Sequence, residues 1–166
     1  MYLKRVISGG QLGSDMAGLL AAQAVSIETG GHIPKGFKTE NGSKPSLAKF
    51  GLVETKSSGY EERTGLNVKN SDATIIVSMD MNSPGTKMTQ RFIDKYKKRS
   101  VGIKYHNVKE PDIETTAKRL ADWLYEQKIK NLNVAGNRES KAPGLQFWLT
   151  QVLVRTFTLL KGNNED

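Results

Sequence analysis

Three polar, glycine-bearing segments of the sequence carry residue types that bind anions. They read SGGQLGSD from position 8, NSPGTKMT from position 82 and NVAGNRES from position 133. Glycine lets a ligand approach the backbone closely, and a helix that begins nearby offers free N–H groups with a partial positive charge. The combination favours a phosphate or another anion, although each segment alone also fits an ordinary tight turn, and none matches a classical nucleotide-binding fingerprint. The candidate ligand-binding residues in these segments are Ser8, Gly9, Gly10, Gln11, Asp15, Ser83, Gly85, Thr86, Thr89, Asn133, Gly136, Arg138 and Glu139.

A second group of candidates lies between the first two segments. Lys35 stands between a proline and a glycine, which gives this cation a rigid mounting. A helix in YEERTGLN would bring Tyr60, Arg63 and Asn67 to one face, because they are spaced i, i+3 and i+7. A ring, a guanidinium and an amide on one face can stack on a base or pterin and bind a phosphate. The alternative is a surface helix in which Arg63 pairs with a glutamate of the same helix.

Predicted strands and helices that alternate along the chain must position these residues. Strand-like runs occur at 3–8, 73–78, 99–105 and 129–135, and helical spacing of apolar residues occurs at 14–24, near 86–98, at 112–127 and beyond 143. Asp112 is the predicted cap of the third helix. Apolar strands separated by amphipathic helices are typical of a parallel sheet covered on both faces. We therefore predict an α/β fold with an open, doubly wound, mostly parallel Rossmann-like sheet, whose ligand crevice lies where the three segments leave their strands.

Two stretches give weaker signals. Residues 30–58 show little periodicity, and an irregular stretch of this length in a small domain is usually either functional or misread. The exit of the third predicted strand, HNVKEPD, is polar without glycine, and we assign it no role in the site.

Composition narrows the class of protein. The chain has 166 residues, a formal net charge of +8, two histidines and no cysteine. This length fits one domain, predicted at 1–161, with 162–166 as a polar tail. The absence of cysteine excludes disulfides and thiol nucleophiles, and the histidine spacing predicts no metal site. Because the lysines are dispersed and the densest basic cluster, 95–99, falls at a predicted helix end, we expect a small anionic ligand rather than nucleic acid. No signal-peptide or membrane-spanning pattern is present, which predicts a cytoplasmic protein without membrane contact.

Several separate motifs occur in the order and approximate spacing of a known family. They are ISGGQLGSD, GGHIPKG, LVETKSSGYEERTGLNVKNSDATIIV, PGTKMT and LNVAGNRESKAPG, and together they cover residues 5–150. On these motifs the chain resembles the putative molybdenum carrier family, which is similar to the LOG-like, lysine-decarboxylase-like group of SLOG-type Rossmann proteins. The resemblance implies a LOG-like fold and a bound phosphorylated heterocycle, either molybdopterin cofactor or a nucleotide.

The motifs carry over residue by residue, and the resemblance adds Thr64 to the implied site. Four places depart from the family pattern. Leu12 replaces a threonine, His32 and Ile33 replace tryptophan and cysteine, Pro84 replaces a glycine, and Asn137 stands where proline is common. The loss of the threonine hydroxyl at position 12 removes one possible contact to a phosphate.

The expected function is binding or carriage of this ligand without turnover. Related LOG-type phosphoribohydrolases use a loop glutamate to break an N-glycosidic bond, and Thr89 falls where that acid would be. Asp15 or Glu139 could stand in for it, which keeps a nucleotide N-glycosidase as one alternative. The other alternative is a sensor or sequestering protein for a signalling nucleotide, which sequence does not separate from a carrier.

The last predicted helix carries apolar residues on more than one side, including Phe147 and Val154. Such a helix is either deeply buried or shared with another subunit. Because LOG-like proteins are often dimeric, we predict a homo-oligomer.

Overall fold

A computed structural model describes residues 3–106 and 112–163 of the chain. The strands are β1 (Arg5–Ile7), β2 (Glu28–Ile33), β3 (Lys38–Thr39), β4 (Gly42–Ser43), β5 (Leu52–Glu54), β6 (Ala73–Ser78), β7 (Arg99–Lys104) and β8 (Asn131–Gly136). Six of them form one sheet in the order β5-β2-β1-β8-β6-β7, and all neighbouring strands in it are parallel. The short strands β3 and β4 form a separate antiparallel hairpin.

Helices cover both faces of this sheet. They are α1 (Ser14–Ala24), α2 (Tyr60–Lys69), α3 (Pro84–Tyr96), α4 (Ile113–Glu126) and α5 (Leu145–Gly162). The main core lies between the sheet and α1, α4 and α5, and it takes Ile75 and Val77 from β6. The alternate residue Ile76 packs under α2 and α3 on the other face. The predicted doubly wound α/β fold is confirmed, and the predicted cap is present, since the Asp112 side chain accepts a hydrogen bond from the Glu114 N–H.

The order of the strands explains where a ligand crevice forms. The connections that step from β1 to β2 and from β7 to β8 place their helices on one face, whereas those from β5 to β6 and from β6 to β7 use the other face. This is the arrangement that right-handed crossovers require. The last strand, β8, enters between β1 and β6, so the carboxyl ends of these three strands meet at one edge.

Residues 30–58, which show little periodicity in the sequence, contain most of β2, the hairpin of β3 and β4, and β5. β2 reads ETGGHI, and its two glycines give it none of the apolar character expected of a buried strand. Gly31 is nevertheless required, because its φ is +126° and a Cβ there would lie 2.2 Å from the carbonyl oxygen of Ser8. β5 has only three residues, too few to show a period.

At the carboxyl end, α5 runs to Gly162, one residue into the predicted tail, and residues 164–166 lie outside the described part of the chain. The predicted loop HNVKEPD also falls largely outside it, at 107–111. None of the helices in the described ranges is both long and apolar enough to cross a membrane.

Candidate functional site

A cavity of about 630 Å³ opens at the edge of the sheet where the chain leaves β1, β6 and β8, with α2 as a further wall. This volume is in the range of small-molecule and cofactor sites. Most of the residues that the sequence predicted for ligand binding line it, namely Gly9, Gln11, Asp15, Tyr60, Arg63, Thr64, Asn67, Ser83, Gly85, Thr86, Thr89, Asn133, Gly136 and Arg138.

A buried ion pair lies against this cavity. Nη1 of Arg63 contacts Oδ2 of Asp15 at 3.4 Å, and the two side chains are only 14% and 5% exposed. The Gln11 N–H donates to the same carboxylate oxygen at 3.1 Å. Burial raises the pKa of Asp15, and the Arg63 charge and the Gln11 N–H partly offset this effect. The pairing of Arg63 with Asp15 differs from the alternative of a pair within α2, where Glu62 instead accepts a hydrogen bond from the Ser57 N–H.

The guanidinium of Arg63 is incompletely satisfied. Within the described residues its Nε is buried and has no hydrogen-bond partner. The contact to Asp15 uses Nη1 at a distance longer than that of a strong charge-assisted hydrogen bond. A buried cation in this state stabilises an anion that enters the cavity.

The first glycine of the β1 loop makes room for this arginine. A Cβ on Gly9 would lie 2.3 Å from Nη1 of Arg63 and 2.7 Å from its Cζ. Contacts this short do not occur between real atoms, so a side chain at position 9 would displace the guanidinium. The space beside the backbone of Gly9, just after β1, is thus filled by the guanidinium of Arg63.

Three cations surround the ring of Tyr60. Cζ of Arg63 lies 5.2 Å from the ring centroid, Cζ of Arg138 lies at 5.5 Å and Nζ of Lys38 lies at 5.2 Å. Each distance is within the range of a cation–π interaction. The predicted face of α2 therefore comes together around Tyr60, with positive charge concentrated on this side of the cavity.

The start of α3 forms the opposite wall. Pro84 and Gly85 open the helix, and no atom lies within 4 Å of a Cβ built on Gly85. The Ser83 hydroxyl donates to the Thr86 hydroxyl, which donates to Ser78 at 3.2 Å. The N–H groups in the first turn of a helix have no acceptor within the helix. This wall is suited to an anionic or strongly polar group of a ligand.

Two asparagines of the cavity hold the sheet together. The Asn67 side chain accepts from the His32 N–H at 2.8 Å and donates to the His32 carbonyl at 3.1 Å, which ties α2 to β2. Nδ2 of Asn133 donates to the Thr74 hydroxyl at 3.2 Å and ties β8 to β6. Part of their hydrogen-bonding capacity is therefore used within the protein.

Four predicted residues do not line the cavity. The Ser8 hydroxyl donates to the Asp15 carbonyl at 2.9 Å and shapes the β1 loop, while Gly10 packs near Ile33 and Leu52. The exposed Lys35 lies outside the cavity lining. The Glu139 carboxylate accepts from the N–H groups of Gly144 and Gln146 at the start of α5.

Several lining residues were not predicted from the sequence: Met79, Asp80, Pro84, Met88, Val134, Ala135, Asn137 and Lys141. In the sequence, Pro84 and Asn137 stand out only as departures from a family pattern. Oδ1 of Asn137 accepts from the Met79 N–H at 2.7 Å, and the Asn137 N–H donates to the Val77 carbonyl at 2.9 Å. These bonds join the loops after β6 and β8. Lys141 follows Arg138 closely in the sequence, so the basic character of this loop could have predicted that Lys141 lines the cavity.

Carboxylates at the cavity are few. In the described ranges Asp15 and Asp80 are the acidic residues that line it, and Oδ1 of Asp80 accepts from the Asn82 N–H at 2.9 Å. No group of three or more His, Cys, Asp or Glu side chains in those ranges is arranged to hold a metal ion.

Comparisons with known proteins agree with this architecture. A family model described as the circularly permuted YpsA SLOG family matches residues 6–157. A crystal structure of a putative molybdenum carrier protein from Syntrophus aciditrophicus is 34% identical to the chain, with a TM-score of 0.83. The similarity covers 93% of this chain and 95% of that one. A comparison with curated proteins finds no match.

Proposed function

The chain belongs to the circularly permuted YpsA SLOG family, and from this premise we propose that its cavity binds a phosphorylated heterocyclic small molecule without turnover. The ligand is a molybdenum cofactor or a nucleotide, and the protein acts as its carrier or binding protein. The name of the similar crystal structure, a molybdenum carrier, supports the first ligand. The Rossmann-like sheet, with its crevice at the carboxyl edge, supports the second.

The observation that carries this proposal is the state of Arg63. Its guanidinium is buried beside the cavity, has one carboxylate contact at 3.4 Å and leaves Nε without a partner in the described structure. A buried guanidinium with a single carboxylate contact of this length is stabilised further by an anion that binds in the cavity beside it. A phosphate oxygen is well suited to a guanidinium, since the two can form parallel hydrogen bonds.

The remaining walls fit the other parts of such a ligand. Met79, Met88 and Pro84 offer apolar surface for a heterocyclic ring. The first turn of α3, at Gly85 and Thr86, offers N–H groups for a second polar or anionic group. Both a pterin phosphate and a nucleotide combine a flat ring with a phosphate, so they share this recognition.

The chemistry of the lining supports binding over hydrolysis. Asp15 is paired with Arg63, and the Thr89 hydroxyl, where a hydrolase would carry an acid, donates to the Gly85 carbonyl at 3.2 Å. Glu139 caps α5 and does not line the cavity. A glycosidase mechanism needs carboxyl groups positioned on the scissile bond. A sensor or sequestering role for a signalling nucleotide uses the same contacts as carriage and remains the alternative.

Calorimetric titration against a panel of nucleotides and molybdopterin, followed by chromatography of the mixtures, tests this proposal. We expect saturable binding of at least one phosphorylated heterocycle and its recovery intact. Recovery of free base and sugar phosphate would instead establish the hydrolase, and a failure of every compound to bind would contradict the proposal. Glu61→Gln, which changes an exposed residue of α2, serves as the control for general charge effects.

The predicted homo-oligomer remains a proposal. Val154 is half-buried on α5, and Phe147 on the same helix is 75% exposed. Exposed aromatic side chains are enriched in protein interfaces. Light scattering with size-exclusion chromatography measures the mass in solution, and a monomeric mass at all concentrations would exclude this proposal.

A further inference from the structure

The hairpin of β3 and β4 makes contacts with cavity residues on both the β1 and the β8 loops. The Glu40 N–H, at its turn, donates to Oε1 of Gln11 at 2.7 Å. The Glu40 carboxylate accepts from the hydroxyl and the N–H of Ser140, a residue 100 positions away. It also lies 4.0 Å from Nε of Arg138. The hairpin thus joins loops that lie far apart in sequence.

The Glu40 carboxylate is held in a fixed position. Its side chain is only 11% exposed. The hairpin turn behind it is closed by the Thr39 hydroxyl, which donates to the Gly42 carbonyl at 2.8 Å and accepts from the Asn41 N–H at 3.1 Å. An isolated surface ion pair contributes little because both side chains must be ordered to form it. Here the hydrogen bonds to Ser140 have already ordered the carboxylate, so the cost of ordering falls mainly on the arginine.

Arg138 is the more exposed of the two arginines beside the Tyr60 ring. Arg63 is 14% exposed and is paired with the buried Asp15, whereas the Arg138 side chain is 39% exposed. Arg138, Arg63 and Lys38 all lie within 5.5 Å of the Tyr60 ring centroid. Like charges this close repel one another, and a long exposed side chain has many other rotamers available. Asp15 also attracts Arg138, and Glu40 places a further carboxylate 4.0 Å from its Nε, which favours the rotamer that lies against the cavity wall.

We propose that Glu40 is a positioning residue for the ligand site. Its carboxylate pairs with Nε of Arg138 and holds that guanidinium against the Tyr60 ring, which leaves the two terminal nitrogens for an anionic group of the ligand. Asp15 pairs with Arg63 and also attracts Arg138, and Glu40 supplies a second carboxylate beside Arg138. The effect of Glu40 on ligand binding rests on the proposed function. Its effect on the order of Arg138 does not, because Arg138 is ordered before a ligand binds.

The ordering is tested first in the ligand-free protein. Nitrogen-15 relaxation of the arginine Nε–H groups is compared between the wild type and Glu40→Gln, which retains an oxygen acceptor for Ser140 but not the negative charge. We expect the Arg138 order parameter to fall in this variant towards that of the exposed Arg91, with Arg63 and the backbone amides of the hairpin unchanged. An unchanged Arg138 order parameter overturns the proposal. Glu61→Gln, which removes the same charge from an exposed position on α2, should leave Arg138 ordered.

The consequence for binding is tested with adenosine 5′-monophosphate as the probe. Glu40→Gln is expected to weaken binding by about twofold to fivefold, the range of a partly exposed ion pair. The same substitution in an Arg138→Ala background should have no effect, because Glu40 acts through Arg138. An equal loss in both backgrounds overturns the positioning role. If the probe does not bind the wild type, the proposed function fails for this nucleotide, and the relaxation experiment alone decides the role of Glu40.

Discussion

The guanidinium of Arg63 fills the space that any side chain at Gly9 would need, although 54 positions separate the two residues in the chain (63 minus 9). A Cβ at position 9 would lie 2.3 Å from Nη1 of Arg63, 2.7 Å from Cζ and 2.9 Å from Cδ. The absence of a side chain after β1 and the buried cation on α2 are therefore two parts of one arrangement. It places a partly satisfied positive charge at the carboxyl edge of the sheet.

Gly9→Ala should weaken ligand binding and leave the fold intact. The new methyl group displaces a guanidinium that is buried and paired with Asp15, so part of the stability that this pair supplies is lost as well. We expect the affinity for adenosine 5′-monophosphate to fall at least tenfold, about 1.4 kcal/mol, with a lower melting temperature but an intact fold. Calorimetry and thermal unfolding measure the two quantities.

The double variant Gly9→Ala with Arg63→Ala is the matched control. Alanine at position 63 leaves nothing for the new methyl group to displace, so the double variant should bind no more weakly than Arg63→Ala alone. A further loss in the double variant would mean that Gly9 contacts the ligand directly.

The pH dependence of stability should report the state of Asp15. Because burial raises the pKa of Asp15, the folded protein retains a proton in a window above roughly pH 3.9 in which the unfolded chain has lost it. The corresponding stability is fully present below this window and is lost as the pH rises through it. Urea unfolding between pH 4 and pH 8 should therefore show a decline that is absent from Asp15→Asn. Asp122→Asn, at an exposed site on α4, should retain the wild-type slope, whereas an unchanged slope in Asp15→Asn would contradict the assignment.

Glu139→Ala should affect stability and spare binding. Its carboxylate accepts from the Gly144 and Gln146 N–H groups at 3.2 and 3.0 Å, as a cap of α5. The loss of a helix cap costs about 0.5–2 kcal/mol, which urea unfolding would detect. The affinity for adenosine 5′-monophosphate should stay within twofold of the wild type. A large loss of affinity at unchanged stability would assign Glu139 to the ligand site, and Glu126→Ala, an exposed site on α4, is the control.

Asn137→Ala should destabilise the protein. The substitution removes the acceptor for the Met79 N–H at 2.7 Å and for the Ser78 hydroxyl at 3.2 Å. An unpaired buried donor costs about 1–3 kcal/mol. Asn82→Ala, which truncates an exposed asparagine in the loop after β6, should cost much less. Equal free energies of unfolding for the two variants would show that the bonds from Asn137 do not support the site.

The sequence predicted the elements whose residues carry a clear period. The apolar run of β6 and the stripe of α4 are examples, and their boundaries agree closely with the structure. β2 was missed because Gly30 and Gly31 interrupt its apolar character for reasons of packing against neighbours far away in sequence. Such requirements come from tertiary contacts, which no local pattern contains.

The residues of the site, like the elements of the fold, could be predicted where a local sequence pattern determines their position. Tyr60, Arg63 and Asn67 share a helix face, so their meeting at the cavity follows from spacing alone. The contacts of Glu40 and Arg63 could not be predicted, since they depend on where the hairpin and α2 settle relative to β8 and β1. Met79 and Met88 gave no signal, because a methionine is as common in a core as in a ligand pocket.

Native mass spectrometry of the purified protein, compared with Arg63→Ala prepared in the same way, tests the central claim most directly. We expect the wild type to carry one small molecule that denaturation releases intact as a phosphorylated heterocycle. Arg63→Ala should be largely empty, because the loss of a charged hydrogen bond weakens binding by about 1.5–3 kcal/mol. Equal occupancy in the two proteins, or a wild type that is empty and takes up no phosphorylated heterocycle when one is supplied, would contradict the account.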